Sequence, residues 1–148
     1  MIEVRQAGRH DAGTAGRLLA AQLEEHALPV DAAGIERALE LCLRPGSQAQ
    51  LLLAFEGEAV GVCLANPLVS AEHGGTAIWI EELYVAPRAR RRGVARALLD
   101  AVLRGARAAG ARAVELEVAP GHEAARALYR SAGFRENERT PYVLDLGA

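Results

Sequence analysis

The chain has 148 residues, 51% of them hydrophobic, which suits one domain spanning 1–148 with its own core and excludes a disordered chain. Aromatic residues make up only 4%, so the core must come from Leu, Val and Ala. The 17 basic residues are all arginine, which excludes lysine Schiff-base chemistry, and the net charge of -2 makes the whole chain no counter-ion for nucleic acid.

Residues 2–6 read as a short first strand with Ile2 and Val4 on one face. The stretch before Asp11 has no signal-peptide core and no apolar run is long enough to span a bilayer, so a cytoplasmic setting without membrane partners is expected. Asp11 is placed to cap a helix running to about Ala27, with Leu18, Leu19 and Leu23 as its apolar stripe. Pro29 breaks it, and Asp31 caps a second helix through Leu43. Ile35, Leu39, Leu41 and Leu43 are its candidates for burial.

Gln50 to Phe55 and Ala59 to Ala65 read as a hairpin around Glu56-Gly57-Glu58. A polar loop from Ser70 to Thr76 leads into a strand from Ala77 to Val85. A helix from Gly93 to about Ala109, a strand from Ala113 to Val118 and a helix from His122 to Ala132 follow. The tail from Phe134 alternates Tyr142, Leu144 and Leu146 and predicts one or two last strands. This order is that of an α/β sandwich. Cys42 and Cys63 sit in apolar stretches without zinc spacing and read as buried, inert thiols, so no metal is expected. His10, His26 and His73 show no metal spacing and read as surface residues.

The most informative stretch is Val85-Ala-Pro-Arg-Ala-Arg-Arg-Arg-Gly-Val-Ala95, where a strand ends, a basic turn follows and a helix begins. The first N–H groups of a helix have no internal partner and carry the positive end of its dipole. Aimed at one point, they bind phosphate. Gly93 lets the backbone approach closely, Ala95 keeps the next turn small, and Arg90, Arg91 and Arg92 add forked donors. A plain solvated basic loop is the alternative. A dinucleotide site would need three spaced glycines, and only Gly93 stands here.

Arg90-x-x-Gly93-x-Ala95 after a strand ending Leu-Tyr-Val resembles the acetyl-CoA signature of the GNAT acetyltransferase superfamily. Ala125-x-x-Leu128-Tyr129-x-x-x-Gly133-Phe134 is similar to the family's second signature. The resemblance implies a mixed, splayed sheet of about seven strands flanked by about four helices. It implies that the pantetheine arm of acetyl-CoA lies beside Leu83, Tyr84 and Val85, with main-chain groups of Leu83 and Val85 paired to it. The N–H groups from Arg91 through Gly93, Val94 and Ala95, with Arg90 and Arg96 flanking, would hold the pyrophosphate. Ala125 and His122 would contact the cofactor, and Tyr129 would stand near the CoA sulfur. His122 departs from the family, which carries Asn there; a His can donate one hydrogen bond, act as a base or simply start the helix.

Acetyl transfer to an amine needs a group to take a proton from the amine and one to protonate the departing thiolate. The Tyr129 phenol is the donor candidate; packing beside Leu128 is its alternative. Glu81 and Glu82 are the base candidates. Strict alternation directs only Glu81 the same way as Leu83 and Val85, and a similarity to diamine acetyltransferases puts Glu81 first, Glu82 second. Solvated edge carboxylates are the bland reading of both. The expected reaction is direct transfer from acetyl-CoA to a primary amine of a small molecule in a ternary complex, with Glu115 and Glu117 hinting at a cationic acceptor. A protein or peptide N-acetyltransferase and a non-catalytic acyl-CoA-binding regulatory module are the rivals. The resemblance also allows a homodimer.

Overall fold

The alternating runs of the first half build a meander, and the helices cover its two faces. In the computed structural model, which describes residues 1–147, the chain divides into two compact units, Met1–Glu117 and Val118–Ala148. The first unit holds five strands: β1 (Glu3–Gln6), β2 (Gln50–Glu56), β3 (Glu58–Ser70), β4 (Gly75–Val85) and β5 (Ala113–Leu116). They lie side by side in chain order, β1 to β4 antiparallel and β5 parallel to β4. Its helices are α1 (Ala12–Glu25), α2 (Ala32–Leu43) and α3 (Val94–Ala108).

One face of the sheet packs under α1 and α2. Leu18, Leu19, Leu39 and Cys42 close on Leu51, Leu53, Val62 and Tyr84. Burying each such Leu or Val contributes about 1.5–3 kcal/mol. The other face packs under α3. A Cβ on Gly61 would come within 3.0 Å of Leu98 and 3.1 Å of Val94, so the helix rests almost directly on the β3 backbone. Leu98, Leu99 and Val102 are fully buried there, as their helical spacing predicts.

Asp11 does stand at the start of α1, but its side chain makes no cap bond to that helix. Its carboxylate instead receives two hydrogen bonds from Arg5, at 2.8 and 3.1 Å, and one from the Gly8 N–H at 2.8 Å. Asp31 likewise begins α2 without a side-chain cap. The hairpin arms run longer than predicted, β3 to Ser70 and β4 from Gly75, because the polar turn between them is only four residues, 71–74.

The second unit carries α4 (Glu123–Ser131). Gly133, with φ of +99°, ends it. The Phe134 N–H returns to the Tyr129 carbonyl and the Gly133 N–H to the Arg130 carbonyl, a Schellman stop. Its accompanying apolar contact is Phe134 edge-on to Tyr129, ring centres 5.7 Å apart. The second sequence signature is thus, physically, a helix and its stop. The tail corrects the prediction: among the described residues 134–147 contain no strand, and the sheet has five strands rather than about seven. Tyr142, Leu144 and Leu146 are exposed. Apolar alternation forms a strand only where a ladder partner is available, and among the described residues the second unit contains no strand.

Candidate active site

The site begins where β4 and β5 part. Their parallel ladder runs from Ala77 opposite Ala113 to Ile80 opposite Leu116 and stops there. Beyond Ile80, β4 continues to Val85 against β3 alone. The Ala86 N–H donates to Val60 on the β3 side, at 2.8 Å. By alternation the main-chain groups of Leu83 and Val85 face away from β3, along the edge that β5 has left. Strand edges of this kind accept an extended ligand as an added strand, although here the Val85 carbonyl already accepts from Arg90 Nε.

A β-bulge sits at the parting point. Glu82 pairs with Leu64, but Ile80 pairs with Ala65, so Glu81 is an extra residue in β4. The bulge overturns the expectation that Glu81 points with Leu83 and Val85. Leu83 and Val85 pair with Cys63 and Gly61 on the α3 face. Glu82, paired with Leu64, and Trp79, paired with Asn66, lie on the opposite face. The Trp79 indole N–H donates to Glu81 Oε2 at 2.8 Å, drawing Glu81 to that same face. Both carboxylates are therefore gathered on one surface, where strict alternation would separate them.

Their environments differ. Glu81 is exposed and Glu82 half-buried. Burial, followed by the neighbouring charge of Glu81, pushes the Glu82 carboxyl up to about 7. Among the described residues neither has an ion-pair partner, although many arginines pair with other carboxylates. Cys63, under the sheet, has its thiol pushed up to about 12 by burial and then by Glu82, which makes it inert.

The basic turn after β4 adopts the geometry expected of an anion cradle. Arg91 and Gly93 both take positive φ, +64° and +86°, and Gly93 immediately precedes α3. Alternating backbone of this sort turns successive N–H groups to one side. The first bond into α3 is from the Ala97 N–H to the Gly93 carbonyl, so the N–H groups of Val94 and Ala95 have no partner within the helix. A Cβ on Gly93 would meet nothing within 4 Å: the space above it is open. The cradle therefore fits a pyrophosphate.

The three arginines do not act alike. Arg90 is fastened inward: its Nη2 donates to both Glu25 oxygens at 2.7 and 2.8 Å, and its Nε to the Val85 carbonyl at 2.9 Å. Its guanidinium also lies 5.6 Å from the centre of the buried Tyr84 ring. It clips the end of α1 to the end of β4. Arg92 pairs with Glu56 at 3.4 Å and Arg96 with Asp100 at 3.0 Å. Arg91 is exposed and, among the described residues, makes no ion pair. Val94 is buried, so its contribution at the cradle is its N–H.

His73 is not the surface residue expected of it. It is partly buried in the β3–β4 turn, its Nε2 3.3 Å from Glu115. Glu115 stands opposite Trp79 in the β4–β5 ladder. Trp79 itself was missed by sequence reading; its position two residues before Glu81 was the signal available. His122 stands at the start of α4, and Ala125 and Tyr129 lie within it. An open pocket of about 590 Å³ near the end of α2 is lined by Arg44, Ser47, Asn66 and other residues, none a carboxylate.

Residues 17–134, most of the chain and both signatures, match the acetyltransferase (GNAT) family. The chain belongs to the GNAT acetyltransferase family. It is an acetyl-CoA-dependent N-acetyltransferase by that membership and by its relatives. The uncharacterized N-acetyltransferase YhfO of Bacillus subtilis (strain 168) is 27% identical over 136 residues, covering 92% of this GNAT chain and 91% of its own. Aminoglycoside N(6')-acetyltransferase type 1 of Stenotrophomonas maltophilia is 36% identical over 95 residues, and the match spans only 62% of each chain. Among solved structures, an integron cassette protein from the mobile metagenome of Cole Harbour Salt Marsh superposes with a TM-score of 0.86 at 27% identity, covering 98% of this chain and 91% of that one.

Proposed function

We propose that this acetyltransferase moves the acetyl group of acetyl-CoA directly onto a primary amine of a small cationic molecule, with Glu82 taking the amine's proton. The observation that carries this reading is the carboxylate pair at the β4 bulge, gathered on one face and left without a counter-charge beside the parted strands. A carboxyl that titrates close to neutrality suits a proton acceptor at working pH. Two adjacent carboxylates with unlike surroundings divide the roles. Glu82 accepts the proton and Glu81 remains a fixed charge.

Bound acetyl-CoA supplies an activated acetyl group on a thioester. The N–H groups of Gly93, Val94 and Ala95 hold its pyrophosphate, with the Arg91 guanidinium adding charge. The edge of β4 at Leu83 and Val85 pairs with its pantetheine arm. The neutral amine forms its bond to the acetyl carbon, the carbon–sulfur bond breaks, the nitrogen gives up a second proton and the sulfur takes one, so these two balance. The donor to the sulfur is assigned to the Tyr129 hydroxyl on the family signature. Over the cycle one ammonium proton leaves through Glu82. The aminoglycoside in the name of the Stenotrophomonas relative is an acceptor of the same polycationic kind.

Thiol release with acetyl-CoA and a panel of amines tests the reading. Turnover on cationic small amines is expected, and Gly93→Asp is expected to abolish CoA binding measured by calorimetry. Tight CoA binding without turnover on any amine would instead identify a regulatory binding module. Normal CoA affinity in Gly93→Asp would remove the cradle.

A further inference from the structure

We infer that Glu25, Glu56 and Glu58 are positioning residues: through Arg90, Arg92 and Arg88 they hold the turn before α3 in its anion-binding shape, and so raise the affinity for acetyl-CoA although they carry the cofactor's own sign of charge. This rests on the reading of that turn as the pyrophosphate cradle.

The turn needs holding. Arg91 takes φ of +64°, a left-handed conformation disfavoured for any residue with a Cβ. Such backbone persists where its surroundings fix it. The residues on both sides are fixed. Arg90 Nη2 donates to both Glu25 oxygens at 2.7 and 2.8 Å, and its Nε to the Val85 carbonyl at 2.9 Å. Arg92 Nη1 donates to Glu56 Oε1 at 3.4 Å. Earlier in the turn, Arg88 sets Nε and Nη2 on Glu58 Oε1 at 3.2 and 2.9 Å. Alternate arginines thus run to carboxylates. Arg91, between the last two, stays exposed and, among the described residues, makes no ion pair.

The carboxylates come from two separate elements. Glu56 and Glu58 flank Gly57 where β2 turns into β3, and Glu25 is the last residue of α1. An acidic residue there has the wrong sign for a helix C-terminus, and the last turn of α1 holds no basic residue. Arg90 supplies that charge from across the fold. Three of the four arginines in the turn are therefore engaged in holding it, and the main-chain N–H groups are left to meet the phosphates. A turn that is loose when empty must be ordered by its ligand, at a cost in affinity; one already ordered avoids that cost.

The sign of the effect makes this testable. By charge alone, removing a glutamate beside the cradle should tighten the binding of a diphosphate. If the glutamates order the turn, removing one should weaken it. The test measures CoA affinity by calorimetry for the wild-type chain, Glu25→Gln, Glu56→Gln, Glu58→Gln and the triple variant. Each single substitution is expected to weaken CoA about two- to fivefold, the range of one exposed ion pair, and the triple variant about tenfold or more. Glu25→Gln should cost the most among the single variants, because two short bonds are lost. In the thiol-release assay KM for acetyl-CoA should rise by the same factors with far less change in kcat, a split that general destabilisation does not produce. Affinity that is unchanged or tighter in the triple variant, or a loss confined to kcat, would overturn the inference. Gly93→Asp, which leaves the three ion pairs intact, reports separately on the cradle. If it binds CoA normally, the cradle reading fails; if it loses CoA while the triple variant does not, only this inference fails.

Discussion

Glu82→Gln should make the protein more stable and less active at the same time. The carboxyl ordinarily titrates near 4.5 and is pushed up to about 7 here, chiefly by burial. At about 1.4 kcal/mol per pH unit, that displacement would penalise the charged form by about 3 kcal/mol. Partial exposure and solvent screening reduce this to about 1–2 kcal/mol. The unfolded chain loses this proton near 4.5 and the folded chain near 7, so between these values the folded state binds more protons. Stability is then full below the lower value and falls as pH rises through the window. Gln has the neutral shape at every pH. At pH 8 the variant should gain about 1–2 kcal/mol, or about 3–6 °C in Tm, and at pH 4 it should match the wild type. In the acetylation assay kcat/KM should drop about 100- to 1,000-fold, the usual contribution of a positioned base. The ratio of wild-type to variant rates should rise through pH 7 and then level, which separates Glu82 from the amine's own ionisation. Denaturation curves that coincide at pH 8, or a rate ratio flat across pH 6–8, would refute both the burial and the role.

Other substitutions probe the frame. Asp11→Ala removes the acceptor of three hydrogen bonds, two of them from Arg5, and should cost about 2–3 kcal/mol in urea denaturation. The Arg5 guanidinium holds the Asp11 carboxyl well below the ordinary range, so this contribution is present above about pH 4 and fades only in stronger acid; the variant's deficit should shrink there. Ala27 ends α1 with φ of +56°, and the Leu28 N–H returns to Leu23 in the same stop that elsewhere uses glycine. Ala27→Gly should therefore raise stability by about 1 kcal/mol, measured as a Tm increase.

The helices and hairpins were legible because their signals are local. The α3 stripe of Leu98, Leu99 and Val102 repeats at helical spacing, and Gly110 and Gly133 mark ends that need left-handed backbone. The basic turn was legible for the same reason, since strand end, arginines, Gly93 and helix start are contiguous. What local reading could not supply was pairing. The tail alternates as a strand should, yet a ladder needs a neighbour and pattern alone does not provide one. Arg90 looked like its two neighbours in sequence; only the fold sets Glu25, 65 residues away, against it and makes it a clip between α1 and β4. The bulge is the same lesson at the centre of the site. Counting alternate residues from Val85 inverts the side of every residue beyond the inserted one, so Glu81 was given the face of Leu83. The register that sets the two carboxylates together is written in β3, where Leu64 and Ala65 pair with residues two apart in β4. The carboxylate-bearing face is thus a property of two strands, and substitutions in β3 that remove the bulge should separate Glu82 from Trp79 without touching either.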